Sequence, residues 1–169
     1  MSRRVVVTGV GLVTSVGIGT AVTWDALLAG QSGMAPITKF DATGFATRFA
    51  AEVKGFDPSA FIEKKDVKKM DVFIQYALAA ADMAMRESGL PIATEAAHRV
   101  GCIVGVGIGG IQSIEETHTA LLESGPRRIS PFFIPKLIGN LAPGQISMRY
   151  GARGINYAPA SACSSGAHG

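Results

Sequence analysis

Cys163 is the residue whose surroundings best suit covalent chemistry. It stands in Ala-Pro-Ala-Ser-Ala-Cys-Ser-Ser-Gly at 158–166, where a β-leaning stretch runs into small residues. Small residues allow a sharp turn and the approach of a substrate carbonyl, and the first N–H groups of a following helix favour a thiolate. Free cysteine often behaves as a small buried apolar residue, but the neighbours of Cys163 are small residues typical of a turn and not the apolar residues of a core segment. The pattern predicts a thiol nucleophile at a strand-to-helix turn.

The histidines do not supply an evident partner for this thiol. His98 and His118 have no Asp or Cys at metal-ligand spacing, and His168 lies five residues after Cys163. A cysteine nucleophile needs acid-base groups. We therefore expect the rest of the site to lie in further sequence, with this chain as the N-terminal part of a longer protein. We predict no metal and no cofactor.

A glycine-rich segment at 105–110, Gly-Val-Gly-Ile-Gly-Gly, matches the dinucleotide-binding pattern G-x-G-x-x-G. About 20 residues later, where an acidic residue should meet the ribose, the chain has Gly-Pro-Arg-Arg at 125–128. Nucleotide binding is therefore disfavoured. The glycines instead predict close packing of backbone against backbone, or the floor of an apolar pocket into which Ile108 projects.

Basic residues gather in two places. The members are Lys64, Lys65, Lys68 and Lys69 in the first cluster, and Arg127 and Arg128 in the second. Such charges usually form a solvated face, but a partner carrying phosphate and carboxylates would find suitable donors there. Nucleic acid is disfavoured because no aromatic residues are interleaved with the charges.

The composition limits the class of protein. The 169 residues are 47% hydrophobic with a formal charge of +3, which fits a chain with a sizeable core and neither disorder nor a nucleic-acid coat. Its two cysteines, of which Cys102 lies in an apolar run, suggest a reducing compartment, and we expect the cytoplasm. No uninterrupted apolar run of about 20 residues occurs, so no membrane span is expected. The run after Arg3 and Arg4 is too short and too β-branched for a signal peptide.

Strands and helices alternate without an internal repeat, which predicts the α/β class. Predicted strands are Arg4–Thr8, Arg99–Val106 and Ile155–Ala158, with a short strand closing the irregular stretch Ile37–Val53. Predicted helices are Ala21–Ala29 (Val22, Leu27 and Leu28 inward), Phe73–Ser88 (ended by Gly89), Ile111–Leu122 and Leu137–Tyr150 (interrupted by Pro143-Gly144). Ser130–Lys136 is predicted as a proline-bracketed loop, and the alanine-rich helix Phe73–Ser88 should lie between layers.

Several long motifs in order resemble the N-terminal part of the β-ketoacyl-acyl-carrier-protein synthases of the type II elongating kind. They are Arg-Arg-Val-Val-Val-Thr-Gly at 3–9, Lys-Lys-Met-Asp-Val-Phe-Ile-Gln-Tyr-Ala at 68–77, the glycine segment, Gly-Pro-Arg-Arg-Ile-Ser-Pro-Phe-Phe-Ile-Pro at 125–135 and Ala-Cys-Ser-Ser-Gly at 162–166. The resemblance covers essentially the whole chain. It implies the first half of a layered α-β-α-β-α thiolase-like fold, homodimeric at full length.

The resemblance also implies roles for individual residues. Cys163 accepts an acyl group from acyl carrier protein, and its backbone N–H contributes to an oxyanion hole. Ile108 lines the fatty-acyl pocket, and Phe133 approaches the pocket of the partner subunit. The implied carrier-protein docking residues are Lys65, Lys68, Lys69, Arg127 and Arg128. Ser164 stands where threonine is common in the family, a change that keeps the hydroxyl.

The same resemblance sets the expected reaction and its rivals. Malonyl-acyl carrier protein is decarboxylated, and its carbanion joins the acyl group on the cysteine to give a β-ketoacyl thioester. The family's catalytic histidines, lysine and gating phenylalanine lie in its C-terminal half, so this chain alone should be inactive. A polyketide ketosynthase, a synthase preferring unsaturated intermediates and a noncatalytic carrier-protein docking module remain alternatives.

Overall fold

The computed structural model describes residues 3–92 and 96–169, which form helices joined by short strand pairs. The helices are α1 Thr20–Leu28, α2 Lys64–Val67, α3 Val72–Ser88, α4 Ile111–Ser124, α5 Phe133–Leu137, α6 Leu141–Tyr150 and α7 Ser165–His168. The strands are β1 Val13–Thr14, β2 Gly17–Ile18, β3 Ala35–Pro36, β4 Phe49–Ala50, β5 Cys102–Ile103 and β6 Asn156–Tyr157. Single 3₁₀ turns span Pro58–Ala60, Ala97–Arg99, Pro126–Arg128 and Ala162–Ser164.

The parallel pair β5–β6 leads the chain into the cysteine turn. Cys102 is paired with Asn156, and Ile103 with Tyr157. The pairing continues beyond the strand bounds, because the Val106 N–H donates to the Pro159 carbonyl at 3.0 Å. The predicted strands at 99–106 and 155–158 are thus present in shorter form. The pairs β1–β2 and β3–β4 are antiparallel, the second closing the irregular stretch after residue 37.

Helix α3 forms the centre of the core and begins and ends within one residue of its prediction. Asp71 caps its N-terminus, and Gly89 ends it in the left-handed conformation at φ +58°. Ile74 and Leu78 are buried with Ile62 and Ala142, the last from α6. Burial of an aliphatic side chain of this size contributes about 1.5–3 kcal/mol, so the α3–α6 contact is a main source of stability.

The region after residue 130 differs from its prediction. Ser130–Lys136 was expected to be a loop, but α5 begins at Phe133, and extended backbone at Ile138 then separates it from α6. Pro143 does not interrupt α6 because it lies in the first turn, where a backbone N–H has no helical acceptor.

The prediction of a buried strand at Arg4–Thr8 is wrong. Val5 is 91% exposed and Val7 is 83% exposed, and within the described ranges no strand pairs with this segment. A strand needs a hydrogen-bonding neighbour, and apolar β-branched sequence alone does not provide one. The following residues do pack, because Gly9 and Gly11 lie directly against the backbone of α3.

The inward face predicted for α1 is also wrong. Val22, Leu27 and Leu28 are all exposed, whereas Thr23 and Ala26 are the buried residues of this helix. The Thr23 hydroxyl lies 3.3 Å from the carbonyl oxygen of Gly17 in the β1–β2 hairpin and donates to it. The hairpin therefore covers the face that carries small residues, leaving the larger apolar side chains outside.

Candidate active site

Cys163 lies exposed in the 3₁₀ turn that joins the β6 segment to α7. Ala162 immediately before it has φ +50°, and it is the one non-glycine residue with positive φ among residues 3–92 and 96–169. This conformation costs a residue with a Cβ on the order of 1–2 kcal/mol. The surrounding structure therefore holds the cysteine turn in a strained shape, as is common at functional positions.

Buried Ser165 holds this turn together. Its hydroxyl accepts a hydrogen bond from the Ser161 N–H at 2.9 Å and donates to the Ala162 carbonyl at 2.7 Å. A third hydrogen bond joins the Ser161 hydroxyl and the Nδ1 of His168 across 2.6 Å. His168 therefore closes the turn, while the serine network offsets part of the strain at Ala162.

The glycine-rich segment packs against the cysteine turn from the core side. A Cβ added to Gly105 would lie 2.8 Å from the backbone N of Gly166 and would overlap the Ser165 carbonyl. At Gly107, a Cβ would approach the Ala162 carbonyl oxygen to 3.4 Å. The sequence-based interpretation of these glycines as a backbone-on-backbone contact is confirmed.

The far end of the same segment is held against the chain between α5 and α6. The Gly110 N–H donates to the Leu137 carbonyl at 2.9 Å, and a Cβ on Gly110 would lie 2.7 Å from the Leu137 Cα. Gly109 has φ +85°, a conformation that favours glycine. Residues 105–110 therefore lie between the cysteine turn and residues 137–139.

A mainly apolar cavity of about 480 Å³ borders this segment. Its lining comprises Phe73, Ala77, Val104, Val106, Ile111 and the loop 105–109. Ile108 belongs to this lining and is 75% exposed, so it lies at the rim. Gly107 links the cavity to the cysteine turn, since it lines the one and packs against the other. The volume suits a small apolar ligand group.

The predicted docking residues lie on two surface elements. Lys65 and Lys68 belong to α2 and its end, and Arg127 and Arg128 to the turn before α5; all four are exposed. Lys69 bonds to Asp66 at 2.7 Å, and its Nζ lies 5.8 Å from the centre of the Phe132 ring. That cation–π contact joins the segments carrying the two clusters.

The remaining predicted residues take less distinctive positions. Phe133 is half-buried at the first position of α5, which packs against α4. Burial raises the pKa of the Cys102 thiol, and a hydrogen bond with Ser147 acts weakly in the opposite direction. Cys102 is therefore disfavoured as a thiolate, in keeping with its prediction as an apolar-run residue.

Sequence reasoning missed Asp71 as part of this region. Its carboxylate contacts the N-termini of both α3 and α4, next to Gly110. Its position directly before an apolar helix was a readable sign of an N-cap. Its contact with Ser113, 42 residues away in the chain, had no local sign.

Comparison with known proteins decides the family. Residues 2–169 match the sequence profile of the β-ketoacyl synthase N-terminal domain. The chain belongs to the β-ketoacyl synthase family. Two curated members of the family named 3-oxoacyl-[acyl-carrier-protein] synthase 2 are similar, one from Vibrio cholerae at 51% identity and one from Coxiella burnetii at 49%. Each alignment covers 98% of this chain and 40% of the relative.

The structural comparison agrees with the family. A solved structure titled the ishigamide ketosynthase/chain length factor aligns with a TM-score of 0.80 at 30% identity, over 92% of this chain and 39% of that one. The architecture is thus that of the N-terminal part of a thiolase-like ketosynthase, as predicted.

Across the described ranges no helix is long and apolar enough to cross a membrane. The same residues contain no group of three or more His, Cys, Asp or Glu side chains placed to hold a metal ion.

Proposed function

We propose that the protein to which this chain belongs is a β-ketoacyl-acyl-carrier-protein synthase of fatty acid elongation. The thiolate of Cys163 attacks the carbonyl of an acyl thioester, and the carrier thiolate leaves. Malonyl-acyl carrier protein then loses CO₂, and its carbanion attacks the Cys163 thioester. A carbon–carbon bond forms, the cysteine thiolate departs, and the product is a β-ketoacyl thioester two carbons longer.

One observation supports this proposal most strongly. An exposed thiol stands on a strained, hydrogen-bonded turn, and the segment supporting that turn also lines an apolar cavity. A nucleophile beside a pocket for a hydrocarbon chain is the arrangement that acyl transfer requires. In this proposal Ile108 borders the acyl chain, the Cys163 N–H donates to the developing oxyanion, and Phe133 approaches the partner subunit's pocket.

The division of labour along the full protein is part of the proposal. Residues 1–169 form the N-terminal ketoacyl-synthase half, and the C-terminal half supplies the acid-base groups for decarboxylation. The curated relatives are about two and a half times as long as this chain, which leaves room for such a half. The chain alone is then inactive in condensation, and the full protein acts as a cytoplasmic homodimer.

Acyl carrier protein is the proposed macromolecular partner. The relatives carry acyl carrier protein in their names, and this chain exposes Lys65, Lys68, Arg127 and Arg128 on neighbouring segments with Lys69 between them. Exposed lysine and arginine suit a partner rich in carboxylates and phosphate. The five basic residues form the proposed docking face.

The test uses the full-length protein with acyl- and malonyl-acyl carrier protein, and measures the ketoacyl product. Cys163→Ala should abolish the product, because the acyl group has no acceptor. Cys102→Ala is the matched control and should retain it. Product formed by Cys163→Ala at the parent rate would contradict the proposal. Binding of carrier protein without product in the parent would indicate a docking module instead.

A further inference from the structure

Asp71 is a buried carboxylate that joins the N-termini of two helices. It is 7% exposed. Its Oδ1 accepts from the Phe73 N–H of α3 at 3.4 Å, and its Oδ2 accepts from the N–H and hydroxyl of Ser113 in α4 at 3.1 and 2.6 Å. Ser113 is itself 5% exposed. One side chain thus caps its own helix and a second helix far away in sequence.

The physical environment explains why a carboxylate suits this position. The first N–H groups of a helix lack intrahelical acceptors, and the helix dipole favours negative charge there. Gly110, the residue before α4, has no side chain that could cap it. Asp71 supplies the missing acceptor, so the start of α4 is fixed relative to α3.

The same contact reaches the candidate acyl pocket. A Cβ on Gly110 would lie 3.0 Å from Asp71 Oδ2, so the end of the 105–110 segment packs directly on the carboxylate. Phe73, whose N–H donates to Asp71, and Ile111, two residues before Ser113, both line the cavity of about 480 Å³. Asp71 therefore contacts, from outside the cavity, the helices α3 and α4 that form two of its walls and the segment 105–110 that carries Ile108.

We propose that Asp71 is a positioning residue that sets which acyl chains the cavity accepts. It does not touch the acyl chain and acts by holding α3, α4 and residues 105–110 in one arrangement. This inference rests on the proposed function, since it concerns the substrate range of the same site. It assigns acyl-chain selectivity to a buried carboxylate that lines neither the cavity nor the cysteine turn.

Asp71→Asn tests the inference with little change in volume. Asparagine has one acceptor oxygen, and its amide would direct N–H donors at the donors of Phe73 or Ser113. Ser113→Ala is a milder variant that removes only the hydroxyl donor and leaves the Ser113 N–H bond. Both should loosen the segment that carries Ile108, the asparagine variant more.

Asp82→Asn is the matched control. Asp82 is also in α3, is 5% exposed, and accepts hydrogen bonds from Arg149 at 2.9 Å and Tyr150 at 3.0 Å. It lies toward the other end of the helix and does not line the cavity. Its replacement should lower stability without changing the cavity walls.

The experiment measures, in the full-length protein, the ratio of Cys163 loading rates for a short and a long saturated acyl thioester. Asp71→Asn should move this ratio toward unity by about tenfold, which is the scale on which pocket contacts discriminate between substrates. Ser113→Ala should move the ratio in the same direction by a smaller factor. Asp82→Asn should leave it within about twofold of the parent. An unchanged ratio in Asp71→Asn and Ser113→Ala overturns the inference, as does an equal change in Asp82→Asn. If Asp71→Asn does not fold, Ser113→Ala decides.

A second readout separates this inference from the proposed function. Amide hydrogen exchange at Gly110 and Ser113 should be faster in Asp71→Asn than in Asp82→Asn, whatever the protein's activity. If the parent loads no acyl group, the proposed function fails while this measurement still reports on positioning. Equal exchange in the two variants shows that Asp71 does not hold the segment and overturns the inference.

Discussion

Gly105 and Ser165 meet backbone to backbone, with no room for a side chain between the glycine segment and the cysteine turn. Ser165 is the residue whose hydroxyl holds that turn closed. The position of the Cys163 thiol therefore depends on a residue nearly sixty positions earlier. The contact connects the β5–β6 pair, the cysteine turn and the apolar cavity into one unit.

Gly105→Ala should displace the cysteine turn. The added methyl group overlaps the Ser165 carbonyl, and we expect a loss of about 1–3 kcal/mol in the free energy of unfolding together with slower alkylation of Cys163. Gly144→Ala is the control, because a Cβ there has no neighbour within 4 Å and the residue lies in α6. Gly144→Ala should raise the free energy of unfolding by about 0.5–1 kcal/mol. Chemical denaturation and thiol labelling measure both effects, and equal behaviour of the two variants would contradict the packing described.

Ala162 should tolerate glycine and reject a β-branched residue. Its φ of +50° is unstrained for glycine, so Ala162→Gly should leave the free energy of unfolding unchanged within about 1 kcal/mol. Ala162→Val should lower it by more than 1 kcal/mol, roughly the cost of a bulky residue with positive φ. Ala120→Gly in α4 is the comparison, and should lose about 1 kcal/mol. Denaturation curves decide, and a larger loss for Ala162→Gly than for Ala120→Gly would refute the assignment of strain.

Tyr150 should make the fold sensitive to alkali. Burial, and then the hydrogen bond that the phenol donates to Asp82, raise the pKa of Tyr150 above its usual 10.0. A raised pKa in the folded state gives stability that is complete below pH 10.0 and is lost as the pH rises through the folded-state pKa. Tyr150→Phe should lower the free energy of unfolding by about 1.5 kcal/mol near pH 7. Above pH 10.0 its free energy of unfolding should fall less steeply than that of the parent.

Urea denaturation over this pH range provides the measurement. Tyr76 also has a raised pKa through burial and stays in both proteins, so the slope above pH 10.0 should shrink without vanishing. Tyr157 is 48% exposed and serves as the control. Tyr157→Phe should leave the free energy of unfolding unchanged near pH 7. An unchanged alkaline slope in Tyr150→Phe would contradict the raised pKa of Tyr150 in the folded protein.

Charge reversal on the proposed docking face should slow association with acyl carrier protein. Lys68→Glu combined with Arg127→Glu replaces attraction by repulsion, and the association rate at low salt should fall about tenfold or more. The deficit should shrink as salt screens the charges. Lys39→Glu combined with Lys54→Glu, at two exposed lysines outside the docking face, makes the same change in net charge and is the control. Surface plasmon resonance with immobilised carrier protein measures the rates, and equal rates in both variants would remove the docking face from the account.

Local signals explain the parts of the fold that were predictable. Helix α3 has an apolar sequence and ends at Gly89, so its bounds were predicted to within one residue. The strand leading to Cys163 and the turn itself could also be predicted, because the run of small residues there favours a tight turn over other structures. The absence of side chains at 105–110 predicted close backbone packing, but it did not identify the cysteine turn as the partner.

The errors came from packing partners that the local sequence pattern does not reveal. The segment at 4–8 has strand-like residues, but strand formation depends on a partner that sequence pattern does not reveal. The buried face of α1 depends on the β1–β2 hairpin, which covers Thr23 instead of the larger apolar side chains. The Asp71–Ser113 bond joins residues far apart in sequence, so Asp71 could be read as a cap but not as a link between helices.

Intact-mass analysis followed by peptide mapping tests the central claim most directly. The full-length protein is incubated with a saturated acyl-acyl carrier protein without malonyl thioester, so that any covalent intermediate accumulates. We predict one acyl group per chain, on the peptide that contains Cys163 and removable by hydroxylamine. An acyl group on Cys102 instead, or a protein that forms ketoacyl product while Cys163 stays unmodified and replaceable by alanine, would contradict the account.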